Sequence, residues 1–327
     1  MPKVVSSVPK QRYDKFNIHF PKDWEIHYIN APYTEEELIA AGQDADYLFL
    51  MSMHPLTGEV IRALPHLKMI HTEGVGVHLV DLEAATARGI PVCNNHAVNS
   101  GSTAEHTIGL ILAGLRRTAA CDAQLKTEGF RETQRQFIAA GQRELAGLHV
   151  GLIGFGSVGK EVAKRLKAWC CKLSYYSTRR DAPELEQELG VQYLERDALI
   201  STCDIISLHA PVLPETRHMI SAPELGAMKR TALLVNTARG ELVDQMALAE
   251  ALEKGELYGA AIDTVYPEPA PADHPFLHLS PEAARRLTWT PHIAGITDED
   301  FTRMLTNAIA NMQRRERGER PLNIVNM

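Results

Sequence analysis

Short apolar runs alternate with helical stretches along the whole chain. Tyr47–Met51, Lys68–His71 and Ile90–Cys93 each read as a strand. Apolar runs this short, bounded by polar or turn residues, suit strands covered on both faces. Between the last two lies Asp81–Arg88, which predicts a helix with Asp81 as N-cap and Gly89 as its stop. Strands alternating with helices predict a parallel α/β sheet. From Ser102 to about Arg117 one long helix is expected. Ile108, Leu110, Ile111, Leu112 and Leu115 make it apolar on most sides, so burial between domains or subunits is expected. A more polar stretch runs to about Glu144, and a second series begins sharply at Leu148. Its expected strands are Val150–Ile153, Leu173–Tyr176, Asp204–Leu208, Leu233–Val235, Gly259–Ile262 and Leu287–Trp289, with helices in the gaps. A final helix, from about Asp298 to Arg317, runs beyond the last strand.

Composition narrows the classes. A chain of 327 residues suggests about two domains. With 45% apolar and 23% charged residues it can bury a large core, which excludes overall disorder. There are 34 basic and 41 acidic residues, a net charge of -7. That balance disfavours nucleic acid and membrane surfaces as partners. No apolar run reaches the length of a membrane span. Met1–Ser6 lacks an apolar core followed by a cleavage site, so no leader is expected. The five cysteines form no Cys-x-x-Cys pair, which suits reduced thiols in the cytoplasm. The 14 histidines are scattered, and no metal site is expected. The charge-rich run Arg314–Arg320 mixes signs and reads as a solvated helix end.

The strongest local signal is Val150-Gly151-Leu152-Ile153-Gly154-Phe155-Gly156-Ser157-Val158-Gly159. This G-x-G-x-x-G follows an apolar strand and opens a helix in which Val158, Val162, Leu166 and Trp169 share one face, the context that makes the motif a dinucleotide fingerprint. Gly154 permits the tight turn, Gly156 lets a pyrophosphate approach the backbone, and Gly159 lets helix and strand pack closely. The helix N-terminus then offers N–H groups and partial positive charge to the phosphates. About twenty residues on, the strand ending at Tyr176 is followed by Ser177-Thr178-Arg179-Arg180, with no acid at its tip. A carboxylate there would hold a ribose 2′-hydroxyl and repel a 2′-phosphate, whereas Arg179 and Arg180 can hold the phosphate. The expected cofactor is NADP(H), with NAD(H) also admitted.

Three later segments each follow an apolar strand: Asn236-Thr237-Ala238-Arg239-Gly240, Asp263-Thr264-Val265-Tyr266-Pro267-Glu268-Pro269, and Thr290-Pro291-His292-Ile293. The carboxyl ends of parallel strands line the ligand crevice, so Arg239, Glu268 and His292 can converge. Carbonyl reduction needs a hydride donor, a proton donor and a substrate holder. Histidine can move the proton near neutral pH. A neighbouring carboxylate fixes its ring, and arginine grips a substrate carboxylate bidentately.

At these residues the sequence resembles the D-2-hydroxyacid dehydrogenase family, over nearly the whole chain. The resemblance takes in Gly74-Val75-Gly76, the stretch Asn99 to His106, the fingerprint, His209-Ala210-Pro211 with Thr216, and the three segments above. It implies two doubly wound parallel-sheet domains, a flavodoxin-like substrate domain and a Rossmann dinucleotide-binding domain, with a cleft between them, and a homodimer. It implies that Arg239 binds the substrate carboxylate, that Glu268 partners His292, and that His292 is the general acid–base. The Val75 and Gly76 amides would hold the carboxylate, and Asp263 would orient the nicotinamide carboxamide. Ser157, Val158, Ser177, Pro211, Thr216 and Thr237 would lie along the cofactor, with Thr103, His209, Ala210, Ala238 and Gly295 also around it.

Some positions depart from the family pattern. Ser177 stands where NAD-dependent members carry Asp, and His78 where many carry Asp. The stretch Pro269–Pro275 resembles formate dehydrogenases of the same family, but those have Gln beside the histidine, and Glu268 points to proton transfer. The tip Tyr175-Tyr176-Ser177 with its arginines resembles glyoxylate reductases, so glyoxylate or hydroxypyruvate is the expected substrate. Phosphite dehydrogenases and dinucleotide-sensing corepressors share the same fold and triad. The expected division is residues 1–98 with 296–327 for the substrate domain and 99–295 for the dinucleotide-binding domain, because the long helix from Ser102 leads into the second and the chain returns after His292.

Overall fold

Every pairing between strands in this protein is parallel. The computed structural model describes residues 1–327 and divides the chain into two units. Unit one comprises Met1–Val98 and Ile296–Met327; unit two comprises Asn99–Gly295.

In unit one the strands are β1 (Lys3–Ser6), β2 (Glu25–Tyr28), β3 (Tyr47–Leu50), β4 (Met69–Thr72) and β5 (Val92–Cys93), in the order β2-β1-β3-β4-β5. This is the flavodoxin-like order. β3 and β4 are buried at every position, as strands covered by a layer on each face should be, and β4 carries two polar residues, His71 and Thr72. Alternate side chains feed two cores. Leu48, Leu50 and Ile70 pack with Val60 and Ile61 on one face. Tyr47, Phe49 and Met69 pack on the other with Leu305, Ala308, Ile309 and Met312 of the helix Asp298–Glu316. That helix is also pinned by a buried polar pair, with Asn311 Nδ2 3.2 Å from His71 Nε2. His71 Nδ1 lies 2.8 Å from the Thr72 carbonyl, and burial pushes the ring down to about 4, so it is neutral, donates from Nδ1 and accepts at Nε2.

In unit two the strands are β6 (His149–Ile153), β7 (Lys172–Tyr176), β8 (Val191–Tyr193), β9 (Ile205–Leu208), β10 (Leu233–Asn236), β11 (Gly259–Ile262) and β12 (Leu287–Trp289), in the order β12-β11-β10-β9-β6-β7-β8. The chain runs outward from β6 through β7 to β8, then returns to place β9 on the other side of β6. The topological switch point therefore lies between β6 and β9, where ligands bind in open α/β sheets. One core lies under β9 and β10 and holds Leu208, Leu234, Leu248 and Ile262. The other holds Val150, Leu152, Val162 and Val235.

Three features add to the sequence reading. β1, β2 and β8 were not anticipated; β2 and β8 are edge strands that alternate polar with apolar residues and present no apolar run. The polar stretch before Glu144 is two helices, Thr118–Glu128 and Phe130–Ala140. The long helix, Ser100–Arg116, places Ala104, Ile108, Ile111 and Leu115 on the sheet of its own unit, in one core with Val150, Val235 and Ala261. No helix is long and apolar enough to cross a membrane.

Candidate active site

At the switch point, β6 ends in a glycine turn and the helix Ser157–Leu166 begins. Gly154 has φ +93°, and a Cβ on it would overlap the His209 carbonyl and stand 2.6 Å from the Ala210 nitrogen. Only glycine fits a position that combines a left-handed backbone with a neighbouring main chain so close. A Cβ on Gly159 would meet the Gly154 carbonyl oxygen at 2.5 Å, so helix and turn are in backbone contact. At Gly156 the corresponding space is open. Gly156 caps the helix without a side-chain bond, which leaves its first-turn N–H groups free at Ser157, Val158 and Gly159. An open backbone face, free N–H donors and a helix dipole suit a pyrophosphate.

The His209–Pro211 segment forms the other wall. The His209 ring turns inward, with Nε2 2.9 Å from Ser207 Oγ, and burial pushes it down to about 4. Its backbone, rather than its imidazole, faces the turn. Thr216 Oγ donates to the Pro211 carbonyl at 2.7 Å and fixes the loop that follows. Thr237 Oγ lies 2.8 Å from Thr107 Oγ, which itself donates to the Thr103 carbonyl, so the segment after β10 is tied to the long helix. Gly295 packs against the Asn99 side chain, whose Nδ2 donates to the Gly295 carbonyl at 3.4 Å.

At the tip of β7 the two arginines differ. Arg180 is engaged bidentately by Glu186, at 2.8 Å from both Nε and Nη2. Glu186 also accepts from Tyr175 Oη at 2.7 Å, and the Arg180 and Tyr175 hydrogen bonds hold its carboxyl down at about 2. Arg180 is thus part of the local framework. Arg179 is exposed and has no carboxylate partner, and Ser177 is half-buried beside it. Asp181, the first acid beyond the tip, is paired with Lys160 at 2.7 Å.

The three carboxyl-end segments do converge within unit two. His292 Nδ1 stands 2.6 Å from Glu268 Oε2, while Glu268 Oε1 accepts from the Val265 N–H at 3.1 Å. Burial opposes ionisation of Glu268, but the His292 contact and the nearby Arg239 charge leave its carboxyl below the usual range. Arg239 is exposed and its guanidinium meets no carboxylate; its single side-chain bond, 2.7 Å, goes to the Ala238 carbonyl. Asn236 shapes this turn by donating to the Arg239 carbonyl at 2.8 Å and accepting from the Ala238 N–H at 3.0 Å. A Cβ on Gly240 would overlap the Val265 carbonyl, so the Arg239 turn rests on the backbone of the Glu268 segment.

Asp263 anchors the base of the site. It is buried at the end of β11 and accepts from Thr290 Oγ at 2.6 Å and from the Ile293 and Ala294 N–H groups at 3.0 Å each. His106 Nε2 stands 3.5 Å from the same carboxylate and 3.1 Å from Thr290 Oγ. Burial raises its pKa, but these donors outweigh it and hold Asp263 at about 2. The His292 N–H donates to the Asp263 carbonyl at 2.7 Å, and His292 sits at φ 53°, a strained turn held by this grip.

Val75 and Gly76 belong to unit one, in the loop after β4. Ser52 Oγ accepts from the Gly74 N–H at 3.1 Å, and Asn94 Nδ2 donates to the Val75 carbonyl at 2.7 Å, so the loop is held by side chains. His78 packs beside it, its ring 3.5 Å from where a Cβ on Gly76 would stand. Sequence reasoning missed the residues that hold the arms of the site, Asn236, Gln245, His274 and Thr290. Asn236 ends β10, Thr290 follows β12, Gln245 starts a helix and His274 caps a short 3-10 turn, and no shared local pattern distinguished them.

A glycine turn at the switch point of a parallel sheet, with a histidine–carboxylate pair and an unpaired guanidinium on neighbouring strand ends, is the architecture of a dinucleotide-dependent oxidoreductase. Residues 108–294 match the family described as D-isomer specific 2-hydroxyacid dehydrogenase, NAD binding domain. A glyoxylate reductase of Korarchaeum cryptofilum is 35% identical over 99% of this chain and 95% of its own length. A D-3-phosphoglycerate dehydrogenase of Methanocaldococcus jannaschii is 37% identical over 90% of this chain, which spans 54% of that longer protein. A crystal structure of a Thermus thermophilus protein superposes with a TM-score of 0.84 at 32% identity, covering 99% of this chain and 100% of that one. The chain belongs to the D-isomer specific 2-hydroxyacid dehydrogenase family. It is an oxidoreductase that takes a nicotinamide dinucleotide as cofactor.

Proposed function

We propose that this chain is a cytoplasmic, NADP(H)-preferring reductase that converts a small 2-oxo acid, glyoxylate or hydroxypyruvate, to the D-2-hydroxy acid. The observation that carries the reading is the 2.6 Å contact of His292 with Glu268 beside the unpaired Arg239, in the unit that also holds the dinucleotide turn. The glyoxylate reductase relative, matched over nearly its whole length, supports the substrate class.

When bound, the reduced dinucleotide supplies hydride to the substrate carbonyl carbon. The Ser157, Val158 and Gly159 N–H groups would hold its pyrophosphate, with Gly156 leaving the backbone open. Asp263, ionised through the ordinary pH range and aimed at the ends of β11 and β12, would set the carboxamide. Arg239 pairs with the substrate carboxylate through charge-assisted bonds. His292, with Nδ1 held by Glu268, presents Nε2 and donates its proton to the carbonyl oxygen; in the reverse direction it takes that proton back. Glu268 acts by keeping the ring oriented and by stabilising its charged form.

The cofactor preference rests on the β7 tip. It carries Ser177 where a carboxylate would reject a 2′-phosphate, and the exposed Arg179 is the guanidinium available to hold one. A homodimer is also proposed, seated on the apolar face that Leu125, Phe130 and Ile138 leave exposed on the helices Thr118–Glu128 and Phe130–Ala140. The test is a panel of 2-oxo acids assayed with NADPH and with NADH. Glyoxylate or hydroxypyruvate with NADPH should give the highest kcat/KM. His292→Ala and Arg239→Ala should each lower kcat/KM by roughly 100-fold or more while cofactor affinity is kept. Wild-type activity in either variant, or no turnover of any 2-oxo acid, would reject the reading.

A further inference from the structure

Glu268 sits on an exposed loop, yet its carboxylate must meet one ring nitrogen within hydrogen-bond distance. The loop has few bonds of its own, and a side chain from another element supplies them. Gln245, at the start of the helix Gln245–Glu253, donates from Nε2 to the Tyr266 carbonyl at 2.7 Å and accepts at Oε1 from the Tyr266 N–H at 3.2 Å. One amide thus satisfies both backbone groups of Tyr266, as a neighbouring strand would. Tyr266 follows Val265, whose N–H holds Glu268 Oε1.

Gln245 is itself fixed. His274 Nε2 stands 2.9 Å from Gln245 Oε1. His274 Nδ1 accepts from the Phe276 N–H at 3.3 Å, so the proton of the neutral ring lies on Nε2 and is donated to Gln245. His274 is 2% exposed and its ring stacks on Trp289, with centroids 5.4 Å apart and planes at 28°. Trp289 ends β12, three residues before His292. His274 therefore touches both arms of the site: the Glu268 loop through Gln245, and the root of the His292 segment through Trp289. Burial lowers its pKa against the opposing charge of Asp273, which keeps the donor–acceptor pattern intact.

We infer that Gln245 and His274 are positioning residues that set the Glu268–His292 distance, through the double bond of Gln245 to Tyr266 and the stacking of His274 on Trp289. The inference rests on the acid–base reading of that pair. Neither side chain needs to touch substrate or cofactor for this role.

The test measures kcat, KM, cofactor Kd and the pH profile of kcat/KM for Gln245→Ala, Gln245→Glu, His274→Phe and Glu268→Gln, and for Gln245→Ala in the Glu268→Gln background. Gln245→Ala should lower kcat roughly 10-fold or more, leave cofactor Kd within about 2-fold, and move the pH profile toward that of Glu268→Gln. Gln245→Glu keeps the acceptor for His274 and Tyr266 but sets a carboxylate oxygen against the Tyr266 carbonyl in place of the donor, so a loss in the direction of Gln245→Ala is expected. His274→Phe keeps the ring on Trp289 but removes the bond to Gln245, and should follow Gln245→Ala in direction. In the Glu268→Gln background, Gln245→Ala should add less than about 2-fold, because the two act as a unit. If Glu268→Gln is impaired but measurable while Gln245→Ala keeps the wild-type profile, or multiplies undiminished in the double variant, the inference is overturned and the acid–base reading stands. If Glu268→Gln is itself fully active, the acid–base reading fails first.

Discussion

Replacing Asp263 by Asn isolates the contribution of one carboxylate. Its two oxygens accept from a hydroxyl and two main-chain amides, all of them donors. Asparagine keeps one acceptor oxygen and turns the other site into an NH2 group that faces a donor. The carboxyl is held at about 2 against an ordinary value of 3.8, which corresponds to roughly 2–3 kcal/mol favouring the ionised form in the fold. A lost bond to a buried amide costs about 1–3 kcal/mol, which agrees. In a unit of this size that is roughly 4–12 °C in Tm. The pH dependence gives a sharper check. The folded pKa is depressed, so the stabilisation is fully present above about 4 and is lost as pH falls toward 2; by pH 3 about half is gone. Urea titration at pH 7 and pH 3, following the unit-two transition, should show the gap between wild type and Asp263→Asn narrow by about half. Equal stability at pH 7, or a gap unchanged at pH 3, would refute the assignment of these bonds to an ionised Asp263.

Further outcomes follow from the same structure. Gly154→Ala places a Cβ on the His209 carbonyl at a left-handed φ, and should abolish dinucleotide binding in a fluorescence titration, with a fall in Tm as well. Arg179→Ala should raise the KM for NADPH about 10-fold with little change for NADH. Arg180→Ala should instead lower the stability of the β7 region by breaking the Glu186 pair; a larger NADPH effect at Arg180 would reverse the assignment. Phe130→Asp should convert a dimer to a monomer in light scattering, and a monomeric wild type would end the homodimer proposal.

Legibility tracked the type of signal. The strands that carry the site, β6, β7, β9, β10, β11 and β12, are apolar runs in a doubly covered sheet, and their residues announced them. Arg239, Glu268 and His292 were legible because they directly follow such runs, where a parallel sheet gathers ligand groups. The strands β1, β2 and β8 were not: β2 and β8 are short and alternate polar and apolar residues, and β1 holds only two apolar residues, Val4 and Val5, although it lies inside its sheet. The helices Thr118–Glu128 and Phe130–Ala140 read as polar because they carry few large apolar residues, and Leu125, Phe130 and Ile138 among them are exposed. The engagement of Arg180 depends on a helix that turns Glu186 back onto β7, and the Gln245–His274 clamp joins residues 29 positions apart. Both are tertiary facts with no local pattern.

The composition of unit one has a consequence for biosynthesis. Its second core needs Leu305, Ala308, Ile309 and Met312, which are made only after all of unit two. At 5–20 residues per second, the ribosome needs about 10–40 s to deliver that helix after Val98 has been added. Any sheet formed in that interval would leave Tyr47, Phe49 and Met69 without the helix that covers them, and His71 without Asn311. The growing chain therefore has a window in which a chaperone would find an apolar sheet face, and the window closes when the segment Ile296–Met327 leaves the exit tunnel.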